Sequence, residues 1–151
     1  MANTFYQIQM HIVFAVRYRD AVLSDNWREE LFRYIGGIIK QNGCIPVIVG
    51  GWRDHIHILL GCGLKYDLPA LVKNIKLATN QWLQPKFRCR FSWQDGYAAF
   101  SVSKTHEASL INYIAHQAEH HSTVSMRDEF KRLLTVNGIN YDTKYIPHDP
   151  E

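Results

Sequence analysis

Residues 6–17 alternate in character: Ile8, Met10, Ile12, Phe14 and Val16 fall on one side of an extended chain, Gln7, Gln9, His11 and Val13 on the other. Successive side chains of a strand project to opposite faces, so the run reads as a strand with one buried face and makes a sheet the framework of the fold. The period then changes. Trp27, Leu31, Ile35 and Ile38 recur at helical spacing, with Ser24 or Asp25 as N-cap and Asn42-Gly43 as the stop. Residues 44–49, CIPVIV, form a short β-branched run closed by Gly50-Gly51, and Pro46, lacking an N–H for a ladder, suits an edge. Residues 55–60, HIHILL, read as a third strand and hairpin partner of the second. Asp67 caps a helix carrying Leu68, Leu71, Ile75 and Trp82 and ended by Pro85. A strand over 97–102, a helix over 105–121 with Thr105 as N-cap, a short helix over 126–136 and an irregular tail complete the chain.

The order β-α-β-β-α-β predicts a ferredoxin-like split βαβ fold, an α/β (α+β) class with a central antiparallel sheet. Its first and third strands are central neighbours. If their apolar residues face the helices, then Gln7, Gln9, His11, His55 and His57 share the opposite face, and such a face is poor core material and suits a polar site.

With 151 residues, no repeat and no linker rich in Pro, Gly or Ser, the chain reads as a single domain over 1–151. No apolar run approaches the ~20 residues needed to cross a bilayer, and residues 1–9 lack a signal-peptide pattern, so the expectation is a cytoplasmic protein without a membrane. Cys44, Cys62 and Cys89 are odd in number, far apart and without a C-x-x-C pair, which argues against a disulfide framework or a cysteine zinc site. The net charge of +3 is compatible with a polyanionic partner without demanding one. Eight histidines are more distinctive, because imidazole binds metals and transfers protons near neutral pH.

His55 and His57 stand at i, i+2 on a strand, so both imidazoles can converge on one ion. Two surface histidines on a half-buried strand would give the same pattern. Tyr113 and Gln117, at i, i+4, share a helical face: the phenol could attack phosphorus and the amide oxygen could be a third ligand, although simple packing explains the spacing too. His116 and His120 have H-x-x-x-H spacing, but Gln117 stands where a zinc protease needs Glu, so they read better as a polar face near phosphates. Cations interleave with aromatics around Arg17, Arg19, Arg88 and Arg90, and Lys73, Lys76 and Lys104 add charge. Cations neutralise phosphates and rings stack on unpaired bases, so these residues are candidate DNA contacts. Trp27, Trp52, Trp82 and Trp93 read as core or core-edge residues.

HIHILL after a Gly-Gly-Trp turn, WQDGYAAFSVS before the next helix, YIAHQAEHH on that helix and the opening MHIVFAVRYR together resemble the single-tyrosine HUH transposases. These are insertion-sequence enzymes acting on single-stranded DNA. The likeness covers nearly the whole chain. It implies that His55 and His57 are the paired metal ligands, Tyr113 the nucleophile and Gln117 the residue completing the metal site. It further implies a divalent cofactor, Mg²⁺ or Mn²⁺, a 5′-phosphotyrosine intermediate, insertion-sequence ends as substrate and a homodimer in which the tyrosine helix of one subunit can serve the other. Residues 129–145, EFKRLLTVNGINYDTKY, resemble an extension found in one subgroup and receive no catalytic task. Two other readings remain open: a small zinc hydrolase using His55, His57 and His120 or His11, and a non-catalytic nucleic-acid-binding ferredoxin-like module. The second expects aromatic residues on the sheet face where Gln and His stand.

Overall fold

The computed structural model describes residues 3–18, 22–88 and 90–150; Arg19 and Cys89 lie outside them. Four antiparallel strands, β1 (Gln9–Ala15), β2 (Ile45–Gly51), β3 (His55–Gly61) and β4 (Ala98–Val102), form one sheet in the order β2-β3-β1-β4. This is the predicted ferredoxin-like arrangement, with β1 and β3 central and β2, which carries Pro46, at an edge. A register irregularity between Pro46 and Ile48 marks the place where the proline interrupts the β2–β3 ladder.

One sheet face packs on α1 (Arg28–Gln41) and α2 (Leu68–Leu83). Ile12, Phe14, Ile56, Ile58 and Leu60 from the strands meet Leu31, Ile35, Ile39, Leu71 and Ile75 from the helices, all of them buried. Asp67 caps α2 as expected, its carboxylate accepting from the Ala70 N–H. α1 starts later than predicted. Ser24 and Asp25 belong to a preceding turn in which Ser24 accepts from the Asn26 N–H and Asp25 pairs with Arg28, and the helix itself begins without a side-chain cap. Cys44 and Cys62 are buried free thiols, and burial pushes Cys62 up to about 11.

The other face is covered as well, which period-two alternation did not foretell. α3 (Glu107–Ala115), α4 (Gln117–His120) and α5 (Met126–Val136) follow β4, and Val13, Ala98 and Phe100 pack under Phe130, Leu134 and Ile146 as a second core. The predicted helix over 105–121 is broken. Residues 104–106 form a 3₁₀ turn, and the Thr105 hydroxyl engages Ser103 rather than capping a helix. His116 leaves helical geometry at φ −110°, ψ 30°. The Asn112 carbonyl, which an unbroken helix would offer to the His116 N–H, instead accepts from the His116 ring at 2.7 Å. Tyr113 and Gln117 therefore sit on two short helices meeting at an angle. No helix among the described residues is long and apolar enough to cross a membrane.

Candidate functional site

The second sheet face buries a cluster of imidazoles. His55 and His57 project from β3 and are fully buried, and His11 from β1 is nearly so. His57 pairs across the ladder with Val13, which puts His11 diagonally beside it on the same face. The two rings stack, and His11 Nε2 lies 2.8 Å from His57 Nδ1. At the start of β3 the Asp54 carboxylate accepts from His55 Nδ1 at 2.7 Å, which fixes the tautomer and leaves His55 Nε2 to face inward.

Gly50 lets the tyrosine helix approach. It is the cross-strand partner of His57, and a Cβ built on it would lie 2.7 Å from both Cγ2 and the carbonyl oxygen of Ile114. Any side chain there would hold α3 off the sheet. Next to Ile114, the Tyr113 ring stands edge-on to His57, with centroids 5.8 Å apart. Gln117 is buried, with Oε1 2.9 Å from His55 Nε2. The predicted trio of His55, His57 and Gln117, together with Tyr113, is thus assembled within one chain. An inward imidazole nitrogen and an amide oxygen at this spacing are a donor set that fits a divalent ion.

The sequence reading missed Glu129. This carboxylate comes from α5, is 2% exposed, and lies among the histidines: Oε1 is 2.8 Å from His57 Nε2 and 3.2 Å from His55 Nε2. Oε2 is 3.2 Å from His121 Nε2 and 3.3 Å from His120 Nε2, and it accepts the Tyr113 hydroxyl. The signal was available in the sequence. Glu129 stands among Met126, Phe130 and Leu134 on the buried stripe of α5, where an acidic residue needs partners.

Burial opposes the charge on Glu129, but the imidazoles of His121, His55 and His57 around it hold its carboxyl well below the usual range. Burial likewise opposes a charge on His55, yet Asp54 and Glu129 raise it to about 9, so without a metal a proton resides there. The same burial, with His55 beside it, holds His57 below its ordinary value, and burial followed by His57 lowers His11 to about 3. For Tyr113, burial and then the Glu129 charge push the phenol well above its ordinary value.

Other sequence candidates lie apart from this cluster or are engaged. Lys76 donates to the carbonyls of Gln94 and Gly96, Arg17 pairs with Asp95 at 3.3 Å, and Lys104 pairs with Glu107 at 2.7 Å. Lys73, Arg88 and Arg90 are exposed, as is His116, whose ring is turned to its own helix; His120 faces Glu129. A surface groove reaches the cluster past Ser103, His106 and Arg132 to His11 and Tyr113. Trp27 and Trp82 pack against the core and Trp93 is buried in it, while the Trp52 ring has the guanidinium groups of Arg28 and Arg53 at 4.8 and 4.9 Å from its centroid.

Comparison with known proteins matches the chain to one family. The family model described as Transposase IS200 like matches residues 4–117. The ISDra2 transposase TnpA of Deinococcus radiodurans is 28% identical over 119 residues, covering 74% of this chain and 85% of that protein. The crystal structure of a candidate transposase from Deinococcus radiodurans R1 superposes with a TM-score of 0.59 at 27% identity, covering 78% of this chain and 95% of the other. A REP-associated tyrosine transposase bound to a REP hairpin gives a TM-score of 0.61 at 14% identity, with coverage of 98% and 92%, a likeness of fold.

Proposed function

This chain belongs to the IS200-like transposase family, and from that premise we propose that it cuts and rejoins single-stranded DNA at insertion-sequence ends through a 5′-phosphotyrosine on Tyr113. The observation that carries the reading is the position of the Tyr113 hydroxyl, beside His57 and in contact with Glu129, at the end of a surface groove. His55, His57 and Gln117 would hold a divalent ion, Mg²⁺ or Mn²⁺. When bound, that ion supplies Lewis-acid polarisation of the scissile phosphate.

The chain's own groups supply the rest. Asp54 and His11 orient the two histidines from behind, and Glu129 orients the phenol by accepting its hydrogen bond, the phenolic proton leaving to solvent as the oxygen attacks. The phenolic oxygen attacks phosphorus, the bond from phosphorus to O3′ breaks, and O3′ takes up a proton and leaves as a hydroxyl. A phenol of pKa ~10 is a better leaving group than an alkoxide, so the covalent link retains the energy for rejoining and no ATP is required. Arg132 in the groove, with Arg17, Lys73, Arg88, Arg90 and Lys104 on the surface, would meet the strand's phosphates.

The test is incubation with end-labelled single-stranded DNA from the ends flanking the gene, with Mg²⁺ or Mn²⁺, followed by denaturing electrophoresis. The expected result is a labelled covalent adduct that disappears in Tyr113→Phe and in His55→Ala or His57→Ala. An adduct that survives Tyr113→Phe overturns the assignment of the nucleophile. Light scattering reads the homodimer, and mixing Tyr113→Phe with a His55→Ala, His57→Ala double variant reads whether subunits share sites. One chain already unites both halves of the site, so each subunit is expected to act alone.

A further inference from the structure

We propose that Glu129 and His121, both beyond residue 117 where the family match ends, are ligands of the same ion as His55 and His57, and that this makes the site one for a first-row transition ion rather than Mg²⁺. The proposal rests on the reading that His55 and His57 hold a divalent ion.

His121 Nδ1 lies 2.6 Å from the Val124 carbonyl, which can only accept, so a ring proton is on Nδ1 and Nε2 is the nitrogen turned to the cluster. That Nε2 is buried and faces Glu129 Oε2 at 3.2 Å without the geometry of a good hydrogen bond. His55 is fixed in the same tautomer by Asp54, and its Nε2 also points inward. Between these nitrogens lie the Glu129 carboxylate and the Gln117 amide oxygen, both acceptors. His55, His121 and Glu129 each present one ligand atom, all within 4.8 Å of one another. Buried imidazole nitrogens, a carboxylate and an amide oxygen converging on one point need a cation among them, a proton when the site is empty and a metal ion when it is filled.

The composition of the set selects the ion. Mg²⁺ favours an octahedron of oxygens and keeps much of its water, whereas imidazole nitrogens with one carboxylate suit Mn²⁺, Co²⁺ or Zn²⁺. The outer contacts are also those of a built metal centre: a carboxylate behind His55 and a backbone carbonyl behind His121. Because Glu129 also accepts the Tyr113 hydroxyl, α5 ties the ion to the nucleophile.

The experiment uses the full chain stripped of metal and titrated calorimetrically with Co²⁺, Zn²⁺, Mn²⁺ and Mg²⁺, with the Co²⁺ visible spectrum and imidazole ¹⁵N spectra with Zn²⁺ as structural readouts. Transition ions are expected to bind more tightly than Mg²⁺. Glu129→Gln and His121→Gln should each weaken Co²⁺ binding by at least ~10-fold and alter its spectrum. In the unaltered protein Zn²⁺ should shift the His121 Nε2 resonance, a readout independent of whether any variant folds. An unmoved His121 resonance, or Co²⁺ bound by folded Glu129→Gln with the original affinity and spectrum, overturns the proposal. If His55→Ala still loses the ion in that case, the reading of His55 and His57 stands. If His55→Ala also binds normally, both fall.

Discussion

A methyl group on Gly50 would reach within 2.7 Å of the Ile114 side chain and of its carbonyl oxygen. The side chain could rotate away, but the carbonyl belongs to α3 and moves only with the helix. Restoring ordinary contact requires α3 to withdraw from the sheet by about 0.7 Å, carrying Tyr113 with it, since carbon and oxygen repel steeply inside ~3.4 Å. Overpacking of this kind costs ~1–3 kcal/mol. For a chain of this length each kcal/mol lowers Tm by ~2–4 °C, so Gly50→Ala should melt ~2–12 °C earlier. The chemical effect should exceed the thermal one. A displacement approaching 1 Å between reacting groups can cost on the order of 100-fold in rate, so cleavage should fall ~10- to 100-fold at a temperature where the variant is fully folded. Circular dichroism melting and single-turnover formation of the covalent adduct read the two effects. Gly37→Ala is the control: nothing lies within 4 Å of a Cβ there, on the exposed side of α1. Removing a helical glycine should stabilise the protein by ~0.5–1 kcal/mol with no change in cleavage. Gly50→Ala with unaltered melting and cleavage would refute the claim that close approach of α3 builds the site.

In metal-free protein, His55 raised from 6.5 to about 9 contributes stability that is complete below about pH 6.5 and is lost as pH rises through about 9, on the order of 3 kcal/mol in all. Urea midpoints at pH 6 and pH 9.5 should show that decline, and a midpoint that rises with pH would contradict it. Gln117→Ala should keep measurable cleavage, because water can replace a neutral oxygen ligand, whereas His55→Ala should abolish it; equal losses in the adduct assay would count against that ranking. Buried Thr79 accepts from the Trp93 indole at 2.9 Å, so Thr79→Val, which strands that N–H, should cost ~1–3 kcal/mol by denaturant titration and leave metal binding unchanged.

Much of this architecture follows from local pattern. The period-two runs in β1 and β3, the Asp67 cap and the stripe on α2 depend on neighbours a few residues apart, and each appears where the spacing places it. His55 and His57 share a face because residues two apart on a strand must. The broken helix was hidden because a side chain, His116, took the carbonyl that periodicity assigns to the backbone. The second core over β1 was hidden because alternation records which residues are apolar, and His11 and His57 gave no hint that helices would cover them. Glu129 lies 72 residues from His57, and no periodicity spans that distance. Its place among the imidazoles was decided by packing: α5 settles on the sheet through Phe130 and Leu134, and the acidic residue on the same stripe is carried in with them. The sequence by itself determined the sheet, the histidine pair and the tyrosine; only the tertiary structure decided which other groups share their space, because local spacing sets the direction of a side chain and long-range packing sets what it meets.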